Sequence, residues 1–172
     1  MKNKTLAITG HTRGLGKALY ELYPGSLGFS RSTGYQIEND ADSIINQIID
    51  CDVFINNAYH ETAQQYLFEQ MWHQWHDNPT KTIVNISSMI ALGSRQDVDA
   101  LSKRQAREKF LELLYLPRKC KMVNVNLGRF GDNHKSAASM SEQQAAELVS
   151  WCINQPGRIE VGELSVWMLE SA

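Results

Sequence analysis

Cysteine is scarce in this 172-residue chain. Cys51, Cys120 and Cys152 are the only three, and no two stand at the short interval that zinc knuckles and redox motifs require. No disulfide framework is indicated, so the thiols are expected to be small core residues of a reducing compartment. An excess of either charge is lacking as well. Seventeen basic and nineteen acidic side chains leave a net charge of -2, without the basic surplus that attracts nucleic acid or an anionic membrane. Long apolar runs are also absent. The run behind Lys2 and Lys4 is five residues long, too short for a signal peptide or a membrane span, so a cytoplasmic protein is expected. Proline occurs only four times, and Pro24, Pro79 and Pro117 each stand where a helical pattern stops.

What is present is ordinary for a globular protein: 42% hydrophobic and 21% charged residues. Helix-spaced and strand-like segments alternate along the whole length. Leu15, Ala18, Leu19 and Leu22 recur at helical spacing before Pro24-Gly25, Ser26 to Ser30 reads as a brief strand, and Tyr35 to Ile37 as another. Asp42 is placed to cap a helix carrying Ile44, Ile45, Ile48 and Ile49, and Val53 to Ile55 follows as a buried strand. Leu67, Phe68, Met71, Trp72 and Trp75 make an apolar helical face. Strands at Thr82 to Ile86, Met122 to Leu127 and Ile159 to Met168 then alternate with helices at Val98 to Leu116 and Ser141 to Asn154. Such alternation predicts a doubly wound α/β fold: a parallel sheet of about seven strands with helices on both faces, in three layers. Residues 1–172 are expected to form one domain.

The stretch Thr5 to Gly16, TLAITGHTRGLG, organises the rest. A β-branched and apolar run leads into a glycine-rich turn and then into a helix. That layout puts a phosphate-cradling loop at a helix N-terminus. Gly10, Gly14 and Gly16 free the backbone and let a dinucleotide pyrophosphate approach the peptide N–H groups, so the fold is expected to be Rossmann-like.

Three further motifs follow in order: INNA at Ile55 to Ala58, VNISS at Val84 to Ser88, and SKRQA at Ser102 to Ala106. With TGHTRGLG at Thr9 to Gly16, this ordered set resembles the short-chain dehydrogenase/reductase family over essentially the entire chain. The resemblance implies an NAD(P)-binding domain whose cofactor is held by Gly10, Thr12, Arg13, Gly14, Leu15, Gly16, Ser30, Arg31, Ser32, Ile37, Asn57, Ala58, Lys103 and Leu127. It also implies that Ser88 orients a substrate carbonyl or alcohol and that Lys103 holds the ribose. Pairing of the helices beside the VNISS strand in a homodimer belongs to the same implication.

Cofactor choice is read at Arg31. It stands twenty-one residues after Gly10, close to where an NAD-selective site carries an acidic residue for the ribose hydroxyls. Ser30, Arg31 and Ser32 instead put two hydroxyls around a guanidinium that can fork onto a 2′-phosphate. With Arg13 as a second cation, NADP(H) is expected, with NAD(H) as the other candidate.

The family's Tyr-x-x-x-Lys motif matches at Lys103, but the residue four before it is Asp99, and no tyrosine occurs from Leu67 to Leu114. A carboxyl of reference pKa about 3.9 is only about 0.1% protonated at pH 7, a poor proton donor. Asp99 and Lys103 also read as an i,i+4 pair near a helix start. Tyr59, directly after INNA, offers a phenol from another direction; packing on cofactor or core is the favoured expectation for it. Only 31 residues separate Asn57 from Ser88, and the stretch from Gly128 to Met140 is too brief for the family's substrate-covering helix. Glu69, His73 and His76 share a helical face, but no fourth ligand accompanies them and no metal site is expected. Two functions remain open: an oxidoreductase acting on a small carbonyl or alcohol, and a catalytically silent dinucleotide-binding protein serving as redox sensor or interaction module.

Overall fold

The structure, a computed structural model, describes residues 4–128, 139–156 and 159–168. Within them the chain runs β1 (Leu6–Thr9), α1 (Gly14–Leu22), β2 (Leu27–Phe29), α2 (Ile37–Ile48), β3 (Val53–Asn56) and α3 (Ala63–Trp75). It continues through β4 (Thr82–Ser88), α4 (Val98–Tyr115), β5 (Lys121–Leu127), α5 (Glu142–Ile153) and β6 (Glu163–Val166). All strands are parallel, in the order β2-β1-β3-β4-β5-β6. The carboxyl ends of the strands therefore share one edge, where Gly10, Asn57, Ser88 and Gly128 emerge.

The period-2 alternation of the buried strands divides the core into two layers. Leu6 and Ile8 of β1, Val53 and Ile55 of β3, and Val123 and Val125 of β5 face Leu15 and Leu19 of α1 and Val149, Cys152 and Ile153 of α5. Ala7, Phe54, Ile83 and Met122 point the other way, onto Ile44 and Ile48 of α2, Leu67, Phe68, Met71 and Trp75 of α3, and Phe110 of α4. The Leu67, Met71, Trp75 stripe is therefore core. Trp75 satisfies its indole by donating to the Ile49 carbonyl at 3.1 Å. Truncating a residue as enclosed as Phe54 would cost about 3–5 kcal/mol through lost burial and the cavity left behind.

A polar row crosses this second face just below the carboxyl edge. Asn56, Asn85, Asn124 and Glu163 are consecutive register partners on β3, β4, β5 and β6. Asn85 Nδ2 donates to Asn124 Oδ1 at 2.9 Å, and Asn124 Nδ2 donates to Glu163 Oε1 at 3.1 Å. Arg107 of α4 closes the row with a two-pronged pair on Glu163, at 2.6 and 2.8 Å. Buried amides of this kind are tolerated where hydrogen bonds satisfy them; at the head of the row Asn56 Nδ2 donates to the Gln64 carbonyl at 2.7 Å, while its Oδ1 has no partner.

Three sequence expectations are corrected. Tyr35 to Ile37 is not a strand, so the sheet has six strands among the described residues and β2 is its edge. A short 3-10 turn at Arg31–Thr33, with Ser30 N–H donating to Thr33 Oγ1 at 3.1 Å and Gly34 at φ +89°, swings the chain directly into α2. That helix begins at Ile37, stabilised where the Gln36 N–H donates to Asp40 Oδ2 at 2.7 Å. Asp42 accordingly lies within α2 and caps nothing; its carboxylate accepts from Tyr66 Oη at 2.9 Å. Finally, β6 covers Glu163–Val166 rather than the longer span expected. The segment expected to cover a substrate falls largely on residues 129–138, outside the described residues. Among the described residues no helix is long and apolar enough to cross a membrane.

Candidate functional site

The order in which strands are laid down reverses at β1: the chain leaves β1 for β2 on one side and later places β3 on the other. A crevice at such a switch point, beyond the carboxyl ends of the strands, is where doubly wound sheets take ligands. The glycine loop and the residues after β3 flank it. Asn57 joins them: its N–H donates to Thr9 Oγ1 at 2.9 Å and its side-chain amide to the Thr9 carbonyl at 3.0 Å. The Ala58 N–H also donates to Thr9 Oγ1, at 3.0 Å.

Two glycines of the loop meet real constraints. Gly10 has φ +72°, and a Cβ on Gly16 would run into the Gly10 carbonyl and come within 2.7 Å of Asn57 Nδ2. The turn and the first turn of α1 are thus packed backbone against backbone. Arg13, in the N-cap position of α1, is extended and makes no side-chain cap. The helix's leading N–H groups receive no capping side chain, which suits them to an anion such as a pyrophosphate. Leu15 is buried under the loop in the core, and Thr12 accepts from Ser32 Oγ at 3.2 Å, linking the loop to the segment after β2.

That segment holds Ser30, Arg31 and Ser32 in the 3-10 turn, with the Ser30 and Ser32 hydroxyls 3.0 Å apart. Arg31 Nη2 donates to Glu38 Oε1 at 3.0 Å. Glu38 is a partner the sequence reading did not assign, though an acidic residue in the first turn of the following helix was the available signal. The carboxyl of Glu38 is held below its usual range by a hydrogen bond from its own backbone, reinforced by His60 and Arg31. Ile37, the first residue of α2, is buried in the core beside this turn.

The second half of the site stands over β4 and α4. Ser88 ends β4, and its Oγ accepts the Ile90 N–H at 3.3 Å. Asp97 caps α4 by accepting the Ala100 N–H at 3.0 Å, which sets Asp99 in the first turn and Lys103 one turn on. Lys103 does not pair with Asp99 in the simple i,i+4 manner. Its Nζ lies 3.7 Å from the centre of the Tyr59 ring, while Tyr59 Oη stands 3.4 Å from Asp99 Oδ1. Desolvation pushes the Lys103 ammonium down to about 8, with Asp99 acting against that shift. Burial likewise raises Tyr59, a hydrogen bond from Ser102 opposes this, and Asp99 and Glu61 add to it. The structure thus brings the ring of Tyr59 against the lysine, a contact that the sequence did not specify. Leu127 is buried at the end of β5, and Gly128 passes so close to Trp167 that a Cβ there would lie 2.9 Å from the Trp167 Cβ.

The helical trio weighed as metal ligands serves other contacts. Glu69 accepts from Gln65 at 2.6 Å, and His76 stacks on Trp72 with ring centres 4.7 Å apart.

No family model matches the chain, and no curated protein matches it. Solved structures do. Serine dehydrogenase from Escherichia coli superposes with a TM-score of 0.72 at 15% identity, covering 95% of this chain and 97% of that one. A short-chain dehydrogenase/reductase from Vibrio parahaemolyticus gives 0.71 at 17% identity, covering 94% and 98%. A small-chain dehydrogenase in complex with NADPH gives 0.75 at 13% identity, covering 95% and 96%. This chain therefore has the Rossmann-like α/β fold that these dehydrogenases share.

Proposed function

We propose that this chain is an NADP(H)-dependent oxidoreductase of the short-chain dehydrogenase/reductase type, acting on a small carbonyl or alcohol, with residues 1–172 as its single NAD(P)-binding domain. The observation that carries the reading is the edge itself: an uncapped glycine-rich loop at the switch point, with Ser88 at the carboxyl end of β4 and Lys103 near the start of α4. The neighbours of known structure, one of them holding NADPH, support it.

The residues present fit a dinucleotide. Gly10, Gly14 and Gly16 with the α1 N–H groups would take the pyrophosphate, Arg13, Ser30, Arg31 and Ser32 the adenosine end, and Asn57, Ala58 and Lys103 the nicotinamide half. The bound nicotinamide would supply or accept hydride. Ser88 would orient the substrate oxygen. Self-association through α3 and α4 belongs to the same proposal, read by sedimentation.

Fluorescence titration with NADPH and NADH, followed by NADPH oxidation against a panel of small aldehydes and ketones, tests the reading. Turnover of at least one carbonyl, impaired in Ser88→Ala, is the expected result. Tight NADPH binding without turnover of any panel member would favour the silent dinucleotide-binding protein.

A further inference from the structure

Carbonyl reduction needs a proton donor as well as hydride, and a group that is neutral at pH 7 with a proton to give serves best. Of the six tyrosines, five stand away from the Ser88–Lys103 edge, four of them engaged in other contacts. Tyr20 packs on His11, Tyr23 Oη lies 2.7 Å from Ser150 Oγ, Tyr35 shares hydrogen bonds with Gln47, and Tyr66 donates to Asp42. Tyr115 sits in the last turn of α4, at the opposite end from Lys103. Tyr59 is the one that meets Lys103. It stands three residues beyond Asn56, as Ser88 stands three beyond Asn85, and Asn56 and Asn85 are register partners on adjacent strands. Its ring is covered by the Lys103 ammonium and its Oη is held by Asp99 and Ser102.

We propose that Tyr59 is the catalytic residue that exchanges a proton with the substrate oxygen, and that Lys103 is a positioning residue acting through the Tyr59 ring; this rests on the oxidoreductase reading above. In the reducing direction hydride, from a reduced nicotinamide, adds to the carbonyl carbon and the π pair moves to oxygen. That oxygen takes the Tyr59 Oη proton, leaving a phenolate that regains its proton from solvent. Alcohol oxidation is the reverse and needs the oxidised nicotinamide. The ammonium over the ring favours the phenolate at the moment it forms. Asp99, exposed at the start of α4, favours the protonated phenol beforehand. Asp99 thus has a task suited to a carboxylate, and a phenol from the loop after β3 stands beside Lys103 where the first turns of α4 carry none.

Two measurements test this. In the protein without cofactor, the phenolate absorbance of wild type minus Tyr59→Phe isolates the Tyr59 titration. That titration is expected to move down in Asp99→Asn and up in Lys103→Met; no movement in either variant overturns the coupling of the three groups. With NADPH and a carbonyl that wild type reduces, Tyr59→Phe is expected to lose at least about 100-fold in kcat, as loss of a general acid does, with NADPH affinity unchanged. Retention of more than about a tenth of wild-type kcat overturns the role. Should Tyr59→Phe lose NADPH binding through misfolding, 3-fluorotyrosine placed at Tyr59 decides: the pH profile of kcat follows the more acidic phenol, and an unmoved profile overturns the role. A wild type that binds NADPH but reduces nothing sinks the oxidoreductase reading itself, whereas an active wild type with an equally active Tyr59→Phe sinks this inference alone.

Discussion

Arg31 Nη2 lies 3.0 Å from Glu38 Oε1, across the turn where β2 gives way to α2. The guanidinium read as a 2′-phosphate ligand therefore has a carboxylate partner already, and His60 Nε2 stands 3.9 Å from the same oxygen. A phosphate must compete with that carboxylate. Glu38→Gln is expected to tighten NADPH about three- to tenfold while leaving NADH within about twofold, since a released guanidinium pairs bidentately with phosphate. Arg31→Ala should do the opposite to NADPH. Fluorescence titrations of both nucleotides at low and high salt measure it, and equal effects on NADPH and NADH would remove Arg31 from the phosphate.

Gly16 leaves no space for a side chain, because its Cβ would meet the backbone of Gly10 and the Asn57 amide that ties the loop to β3. Backbone cannot rotate aside. Gly16→Ala is expected to cost about 3 kcal/mol, at the upper end of overpacking penalties. A Cβ on Gly28 would instead meet the His11 imidazole, a side chain that can turn away, so Gly28→Ala should cost about 1 kcal/mol. Urea unfolding of the two variants gives the comparison, and a Gly28→Ala penalty equal to that of Gly16→Ala would contradict it.

These cases show where the sequence was informative and where it was not. The loop was legible because glycine spacing, a preceding apolar run and a following helical period are all local. Helices α1, α3, α4 and α5 were legible for the same reason: their apolar residues recur at helical spacing and Pro24, Pro79 and Pro117 follow three of them. Tyr35 to Ile37 misled because Tyr35 and Ile37, with the polar Gln36 between them, satisfy an alternating strand pattern, whereas the deciding features were Gly34 at φ +89° and Asp40 reaching back to the Gln36 N–H. The contact of Tyr59 with Lys103 was not legible, since Lys103 lies on α4 and no period or spacing encodes a contact made by tertiary packing. Glu38 left one local signal, an acidic residue in the first turn of α2, but its pairing with Arg31 depends on the turn at Arg31–Thr33.

Glu163 ties β6 to α4 and to the amide row. Burial alone would raise its carboxyl, but the hydrogen bonds from Arg107, Asn126 and Asn124 outweigh this and hold it below its usual range. A folded-state pKa below the unfolded one means that the stabilisation is complete above about pH 5 and is lost as pH falls through the folded value. Arg107→Met should remove about 1–3 kcal/mol at pH 7, less than a fully enclosed pair would because both side chains are partly exposed. It should also flatten the acid limb of the stability profile. Denaturant midpoints between pH 3 and 7 check this, and an acid limb unchanged in the variant would refute it.

Lys103 gives stability the same sign of pH dependence at the alkaline end, but as a cost at neutral pH, where its enclosed ammonium is charged. Its pKa falls from 10.5 unfolded to about 8 folded, because desolvation disfavours the ammonium more than Asp99 favours it. Between those values the unfolded chain binds a proton that the folded chain does not, so unfolding free energy rises with pH across the window. The rise attributable to Lys103 is on the order of 2–3 kcal/mol. It will not be seen in wild type alone. Cys120 and Cys152 are both pushed by burial up to about 11, from 9.0 unfolded, so above pH 9 the folded chain keeps protons that the unfolded chain loses. Their contribution makes stability fall over the upper part of the same range. Lys103→Met cancels the first effect and leaves the second. The difference in unfolding free energy between wild type and Lys103→Met is therefore expected to be most unfavourable to wild type below about pH 8 and to shift in its favour up to about pH 10.5. Urea unfolding of both proteins at pH 7, 8.5 and 10 measures it. A difference that stays constant would mean that Lys103 titrates like an exposed lysine and that the Tyr59 ring and its surroundings do not enclose it.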